Sequence, residues 1–116
     1  MAVADETVVA KDERIAPDSI EARGWIFNAF RYDLNGHGHF THWFDVPGAN
    51  KDSAILAHIT EMKLKDGVLV PHMGVATLSV ANIAFDVNDS VPSCRVRGAV
   101  AFDSNIQYRI TLFVVV

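Results

Sequence analysis

The sequence predicts an all-β domain, an antiparallel β-sandwich of about six to eight strands. From residue 24 onward, segments rich in Val, Ile, Thr, Phe and Trp are separated by short clusters of Gly, Pro, Asn and Asp, the pattern of consecutive strands and turns. Helical periodicity is nearly absent. Two packed sheets are the usual way for many short strands to bury one apolar face each. A small β-barrel is the alternative architecture.

Length, composition and charge narrow the class of protein further. A chain of 116 residues predicts a single domain, which we divide into an N-terminal arm over 1–20 and a sandwich over 21–116. The net charge of −4 argues against nucleic-acid binding, which usually requires a basic face. The most apolar tract, 108–116, contains Arg109 and is shorter than the ~20 residues that span a bilayer, so no membrane span is predicted. Nothing in the sequence indicates a compartment.

The first third of the chain predicts one short strand at Val8 and Val9 and one helical turn at Pro17–Ala22, the only helix candidate. An aromatic-rich strand then ends near Tyr32. Asn35-Gly36 is a strong hairpin signal, and it predicts a turn into a second strand running from His39 to Val46.

The middle of the chain predicts a strand over 53–65, where apolar residues recur at alternate positions. Asp66-Gly67 supplies a two-residue hairpin turn into a return strand at 68–70. Proline cannot donate to a ladder hydrogen bond, so Pro71-His72-Met73-Gly74 predicts a break. The chain then resumes as strand from Val75.

The C-terminal segments show the clearest period of two. Val96, Gly98, Val100 and Phe102 share one side of a strand, and the even-numbered residues from Ile106 to Val116 share one side of the next. Asp103-Ser104-Asn105 is the predicted turn of a hairpin between them. Phe113 and Val115 then fall on the outer face. An apolar stripe there predicts a partner surface, and we expect a homo-oligomer.

The densest group of chemically active side chains is the histidine cluster at 37–42. His37 and His39 share one side of a strand and could hold one transition metal, whereas His42 has the opposite parity. Asp45, or the distant His58 or His72, are candidates for a further ligand or base. The His-x-His step is similar to that of cupins, although the glutamate of that pattern is missing. A small metal-dependent, cupin-like enzyme is therefore one functional hypothesis.

The sequence gives little support for other kinds of functional site. The loop beginning at Asp33 lacks the oxygen ligands of a calcium site at His37 and Phe44. Cys94 is the only cysteine, which excludes an internal disulfide and predicts a lone buried thiol. No nucleophile turn or phosphate-binding loop occurs.

The C-terminal half resembles the H-type lectin domain in its strand order, over Ile55–Leu64, Val75–Val80 and Ala101–Leu112. That resemblance implies a small sandwich that forms trimers and binds N-acetylgalactosamine-type sugars near its strand ends. Phe102 falls where the family has a tryptophan, Asp103 where it has a histidine, and Tyr108 where it has a tyrosine. The family's sugar-contacting arginine falls near Thr77, so that contact is absent.

Three hypotheses follow. The first is a non-enzymatic β-sandwich that binds a ligand, either a carbohydrate or another small molecule, and self-associates without a cofactor. Its candidate ligand-binding residues are Phe102, Asp103, Tyr108, His39 and Trp43, because exposed aromatic rings beside polar groups can stack on a sugar. The second is the metal-dependent enzyme, with His37, His39 and His42 as candidate ligands. The third is a structural assembly module with no small-molecule ligand.

Overall fold

The protein folds as a β-sandwich. The computed structural model describes residues 7–8, 13–23, 27–87 and 90–115. They form nine strands: β1 (Thr7–Val8), β2 (Ser19–Arg23), β3 (Phe27–Gly36), β4 (Gly38–Asp45), β5 (Ala54–Lys65), β6 (Val68–Pro71), β7 (Thr77–Asp86), β8 (Ser93–Ala101) and β9 (Ile106–Val115). The prediction of an all-β antiparallel sandwich is confirmed, with nine strands in place of six to eight. The described part of the chain contains no helix long and apolar enough to cross a bilayer.

The strands form two sheets. One has four strands in the order β1-β4-β8-β7, and the other has five in the order β2-β3-β9-β5-β6. The long pairings are all antiparallel. The two-residue strand β1 is the exception, since it runs parallel to β4.

The core lies between the two sheets and is built from one side of each long strand. Its buried residues include Phe30 and Tyr32 of β3, Phe44 of β4, Val96 of β8 and Leu112 of β9. The Tyr32 and Phe44 rings pack with centroids 4.3 Å apart, which joins the two sheets across the core. Each large aromatic ring buries a large apolar surface, so this pair contributes strongly to the stability of the folded state.

Two predictions for the middle of the chain are confirmed. Lys65 pairs with Val68 across the Asp66-Gly67 turn, and both turn residues have positive φ (53° and 79°), as a two-residue hairpin loop of this type requires. Strand β6 ends at Pro71, and β7 begins only at Thr77, so the predicted break lies between them. Strand β7 carries a bulge between Val80 and Asn82.

Both other predicted hairpin turns are wrong. Asn35 and Gly36 belong to β3 and pair with Gln107 and Ile106 of β9. The chain turns instead at His37 and Gly38, whose φ is 82°, and enters the opposite sheet. Residues 102–105 likewise carry the chain from β8 in one sheet to β9 in the other. The two crossings lie together at one end of the sandwich, where His37 Nδ1 is 2.5 Å from Asn105 Oδ1.

The helical turn predicted at Pro17–Ala22 is also wrong, because strand β2 begins at Ser19 and pairs with β3. Within the segment predicted as an arm, Thr7–Val8 lies along β4, and Ile15 bridges Phe44. The Ile15 amide donates to the Trp43 carbonyl, and the Asp45 amide donates to the Ile15 carbonyl. Backbone pairing outweighs the weak helical preference of a short proline-led segment. Val9, the second residue of the strand predicted at Val8 and Val9, lies outside the described residues.

The alternation predicted for the last two strands is confirmed. Val96, Gly98 and Val100 face the core from β8, while Arg95 and Arg97 lie on the other side. On β9, Tyr108, Ile110, Leu112 and Val114 are buried, and Phe113 and Val115 are exposed. The outer apolar stripe of β9 therefore exists as predicted.

Candidate functional site

The structure separates the three predicted metal ligands. His37 is exposed at the crossing between the sheets. His39 is half-buried on the outer face of β4, opposite Ala99. His42 points into the sandwich, where its ring stacks on Phe40 with centroids 5.1 Å apart. The opposite parity of His42, visible in the sequence, is the physical reason that it cannot join the other two.

The distant histidines do not complete a metal site with them. Among the described residues, no group of three or more His, Cys, Asp or Glu side chains lies close enough to hold one ion. Asp45, the candidate third ligand or base, forms an ion pair with Arg14 at 3.2 Å. The described residues therefore contain no assembled set of metal ligands that would support the hypothesis of a metal-dependent enzyme.

His42 and Tyr108 form a polar pair inside the apolar core. The Tyr108 hydroxyl is 3.4 Å from His42 Nε2, while Nδ1 is buried with no hydrogen-bond partner among the described residues. Burial lowers the pKa of His42, because removing water disfavours the imidazolium. Burial also raises the pKa of Tyr108 to about 12. Both side chains are therefore neutral at neutral pH and act as core residues.

The lowered pKa of His42 predicts loss of stability in acid. The unfolded chain binds a proton at His42 near pH 6.5 and the folded protein only at lower pH, so the free energy of unfolding falls as the pH drops below 6.5. The free energy of unfolding should change by less than ~1.4 kcal/mol per pH unit, the value for uptake of one whole proton on unfolding. The change is smaller because the His42 ring is only partly buried. Urea titrations between pH 8 and pH 5 measure it. His42→Phe should lose stability less steeply than the wild type over this range, and an equal slope contradicts the assignment.

The five candidate ligand-binding residues fall on separate surfaces. Phe102 and Asp103 lie in the connection between the sheets, with Phe102 packed against the core and Asp103 exposed. Tyr108 is buried in the core. His39 and Trp43 share the outer face of β4, where the Arg95 guanidinium carbon lies 6.0 Å from the centroid of the Trp43 ring system. Phe102 and Asp103 are adjacent only because they follow each other in sequence, and His39 and Trp43 share a face of β4 four residues apart, so the fold does not assemble the five residues into one site.

Cys94 lies in the core as predicted, a free and buried thiol. Burial raises its pKa to about 12, so the reactive thiolate is scarce at neutral pH. The neighbouring Tyr32 hydroxyl donates to the Asp45 carbonyl at 2.5 Å. Burial is the main cause of a raised pKa for Tyr32 as well. Both groups are structural.

A cleft that the sequence did not predict lies beside strand β5. It has a volume of about 430 Å³ and is bounded by β5, the segment 72–76 that joins β6 to β7, and the start of β7. We call it the Glu61 cleft; its lining comprises His58, Ile59, Thr60, Glu61, Pro71, His72, Met73, Gly74, Ala76 and Leu78. The His72 amide donates to the Glu61 carbonyl at 2.9 Å, which holds the connecting segment against β5. Nothing in the local sequence marks Glu61 and His72 as neighbours.

Comparison with known proteins finds no matching family model, no similar curated protein and no similar solved structure. The similarity to H-type lectins thus stays a prediction.

Proposed function

We propose that the protein is a non-enzymatic β-sandwich module that associates with copies of itself through the outer face of its five-stranded sheet. The observation that carries this proposal is a group of exposed apolar side chains on two neighbouring strands. Leu56 of β5 is 65% exposed, and Phe113 and Val115 of β9 are 36% and 43% exposed. Exposed apolar side chains that adjoin one another mark interaction surfaces more strongly than scattered ones.

The strand register makes this group continuous. Leu56 lies directly opposite Phe113, and Ala54 lies opposite Val115. On the other side of β9, Ala29 of β3 lies opposite Phe113. Directly opposite residues on one face have neighbouring Cβ atoms. Ala29 is buried, so the apolar patch, defined as Ala54, Leu56, Phe113 and Val115, extends across the two adjacent strands β5 and β9.

The charges beside the apolar patch are compatible with a second copy. Along the same face, Asp33 lies opposite Arg109, and the Arg109 Nε is 2.6 Å from Asp33 Oδ1, with a second contact of 3.3 Å from Nη2 to Oδ2. This two-contact pair balances its own charge, so the pair itself adds no net charge where two copies meet face to face. A twofold interface is the most common arrangement for identical chains.

Neither alternative has comparable support. The candidate metal ligands and the candidate sugar-binding residues each lie on separate surfaces of the described structure. Leu56, Phe113 and Val115, in contrast, lie together and share one chemical character. Self-association is the function that this geometry supports best.

Sedimentation velocity at micromolar concentrations tests the proposal. The wild type is expected to sediment as an oligomer, and Phe113→Lys should weaken the association at least roughly tenfold, because a lysine buried at the interface loses its hydration without gaining a partner. Leu56→Lys should have the same effect from the neighbouring strand.

Val75→Lys is the matched control. It places the same charge at another exposed apolar residue, which lies between β6 and β7 rather than on the sheet face, so the oligomer should persist. A monomeric wild type, or equal weakening by all three variants, contradicts the proposal. Circular dichroism of each variant separates loss of association from loss of folding.

A further inference from the structure

A histidine adjoins the apolar patch on the same face of the five-stranded sheet. His58 is exposed and follows Leu56 by two residues on β5, which places it about 7 Å further along the strand. The residues on either side of it, Ala57 and Ile59, pack against the core. The His58 side chain therefore shares the outer face with Leu56. On β9 it lies directly opposite Thr111.

An interface between two copies has to extend beyond the apolar patch. The three larger side chains of the patch are between 36% and 65% exposed. Four side chains of this kind cannot supply the ~800 Å² that each partner of a stable complex usually buries. On one side of the patch, the pairing of β5 with β9 stops at Ala54 and Val115. Along these two strands the face continues toward His58 and Thr111, so an interface of the usual size includes His58.

The charged groups that face His58 from β9 and β3 are two arginines and one aspartate. Arg109 lies diagonally across from His58 on β9, and it is paired with Asp33 at 2.6 Å. Arg31 of β3 lies beyond Thr111 in the same row and has an interaction of its own. The carboxylate on this side is therefore already held by an arginine.

The other side of β5 offers no closer compensation for a positive charge. His58 Nδ1 lies 3.1 Å from the Thr60 hydroxyl oxygen, which is neutral. In the neighbouring segment 72–76, His72 Nε2 lies 3.6 Å from Glu61 Oε2. The Glu61 carboxylate thus has an imidazole beside it already.

These surroundings make the charge of His58 important for the assembly. Histidine is the side chain that gains a positive charge in mildly acidic solution. An imidazolium placed against apolar side chains of a second copy loses hydration without gaining a carboxylate. A twofold interface contains this group from both copies, so the cost is doubled. Separated copies keep the group in water and bind the proton more readily, so acid favours dissociation.

We infer that His58 makes the self-association sensitive to pH, with assembly at neutral pH and dissociation in mildly acidic solution. This inference rests on the proposed assembly through the apolar patch, and it identifies a residue that regulates that assembly.

Sedimentation equilibrium at about pH 7.5 and about pH 5.5, at equal ionic strength, tests the inference. The dissociation constant of the wild type should be at least roughly tenfold larger at the lower pH, because proton uptake is linked to dissociation. His58→Gln keeps a polar side chain that cannot gain a charge, so its dissociation constant should be the same at both pH values. His58→Lys carries a permanent charge and should associate weakly at both.

His37→Gln and His72→Gln are the matched controls. His37 is exposed at the crossing between the sheets, and His72 lines the Glu61 cleft. Both variants should keep the pH dependence of the wild type. Circular dichroism at the lower pH checks that each variant remains folded, since protonation linked to the buried His42 lowers stability in acid.

The possible results separate this inference from the proposed assembly. An oligomer with equal dissociation constants at both pH values, tighter association in acid, or an unchanged pH dependence in His58→Gln overturns the inference and leaves the assembly in place. A wild type that is monomeric at both pH values contradicts the proposed assembly itself, and the inference with it.

Discussion

Leu112→Ala is expected to lower the free energy of unfolding by about 2–5 kcal/mol, the cost of emptying a well-packed core position. Leu112 is 0% exposed in the middle of β9. It pairs with Phe30 of β3 on one side and with Ala57 of β5 on the other. Strands on both sides hold the position, so the surroundings cannot collapse easily into the cavity. A domain of this size has a total stability of only ~5–15 kcal/mol, so the loss is large.

Leu64→Ala is the matched control for Leu112→Ala. Leu64 is 64% exposed near the β5–β6 turn, and the same truncation there should change stability by less than about 0.5 kcal/mol. Urea unfolding at one fixed protein concentration, followed by tryptophan fluorescence, measures both variants. Equal effects of the two substitutions would mean that β9 is not the central buried strand.

Gly98→Ala is expected to cost about 1–3 kcal/mol through overpacking. A Cβ on Gly98 comes within 3.0 Å of the Ser79 carbonyl oxygen on β7 and lies 2.7 Å from Phe40 Cζ on β4. The carbonyl belongs to the backbone of a paired strand, so it cannot move without disturbing the ladder. The Phe40 ring is held in turn by Tyr108, with centroids 5.7 Å apart.

Gly36→Ala provides the comparison for Gly98→Ala. Gly36 is also a strand glycine, but its added Cβ has only an ordinary contact, 3.9 Å from the Tyr108 ring. We expect little change in its thermal midpoint, whereas Gly98→Ala should show a clear decrease. If the thermal midpoints of Gly98→Ala and Gly36→Ala fall equally, then β4 and β7 do not approach Gly98 closely.

The faces of individual strands were predictable because alternation is a local property. In β9 the even residues from Tyr108 to Val114 are apolar, and they are buried. The Asp66-Gly67 turn was predictable for the same reason, since a two-residue loop depends on the backbone preferences of its own residues. The proline at 71 likewise ends a strand by its own chemistry.

The partners of the strands were not predictable in this way. Asn35-Gly36 and Asp103–Asn105 have the composition of hairpin turns, yet the chain changes sheet after each of them. Turn-forming residues allow a change of direction but do not state which strand the chain meets next. Pairing of β3 with β9, which are far apart in sequence, decides both cases.

The candidate sites also combine local features, which could be predicted, with long-range contacts, which could not. Strand parity correctly separates His42 from His39, because they face opposite sides of β4. Strand parity cannot show that Glu61 on β5 and His72 beyond β6 line one cleft. The two residues meet because the chain after β6 runs back beside β5, where the His72 amide donates to the Glu61 carbonyl.

Local sequence patterns were sufficient to predict an all-β sandwich, the buried face of its last two strands, and the position of Phe113 and Val115 outside the core. The reason is that period-two alternation and turn chemistry act over a few residues. Three other features arise only on folding: the order of the strands in each sheet, the extension of the outer stripe of β9 by Leu56, and the lining of a cleft by Glu61. These features depend on contacts between distant segments, which local patterns do not record.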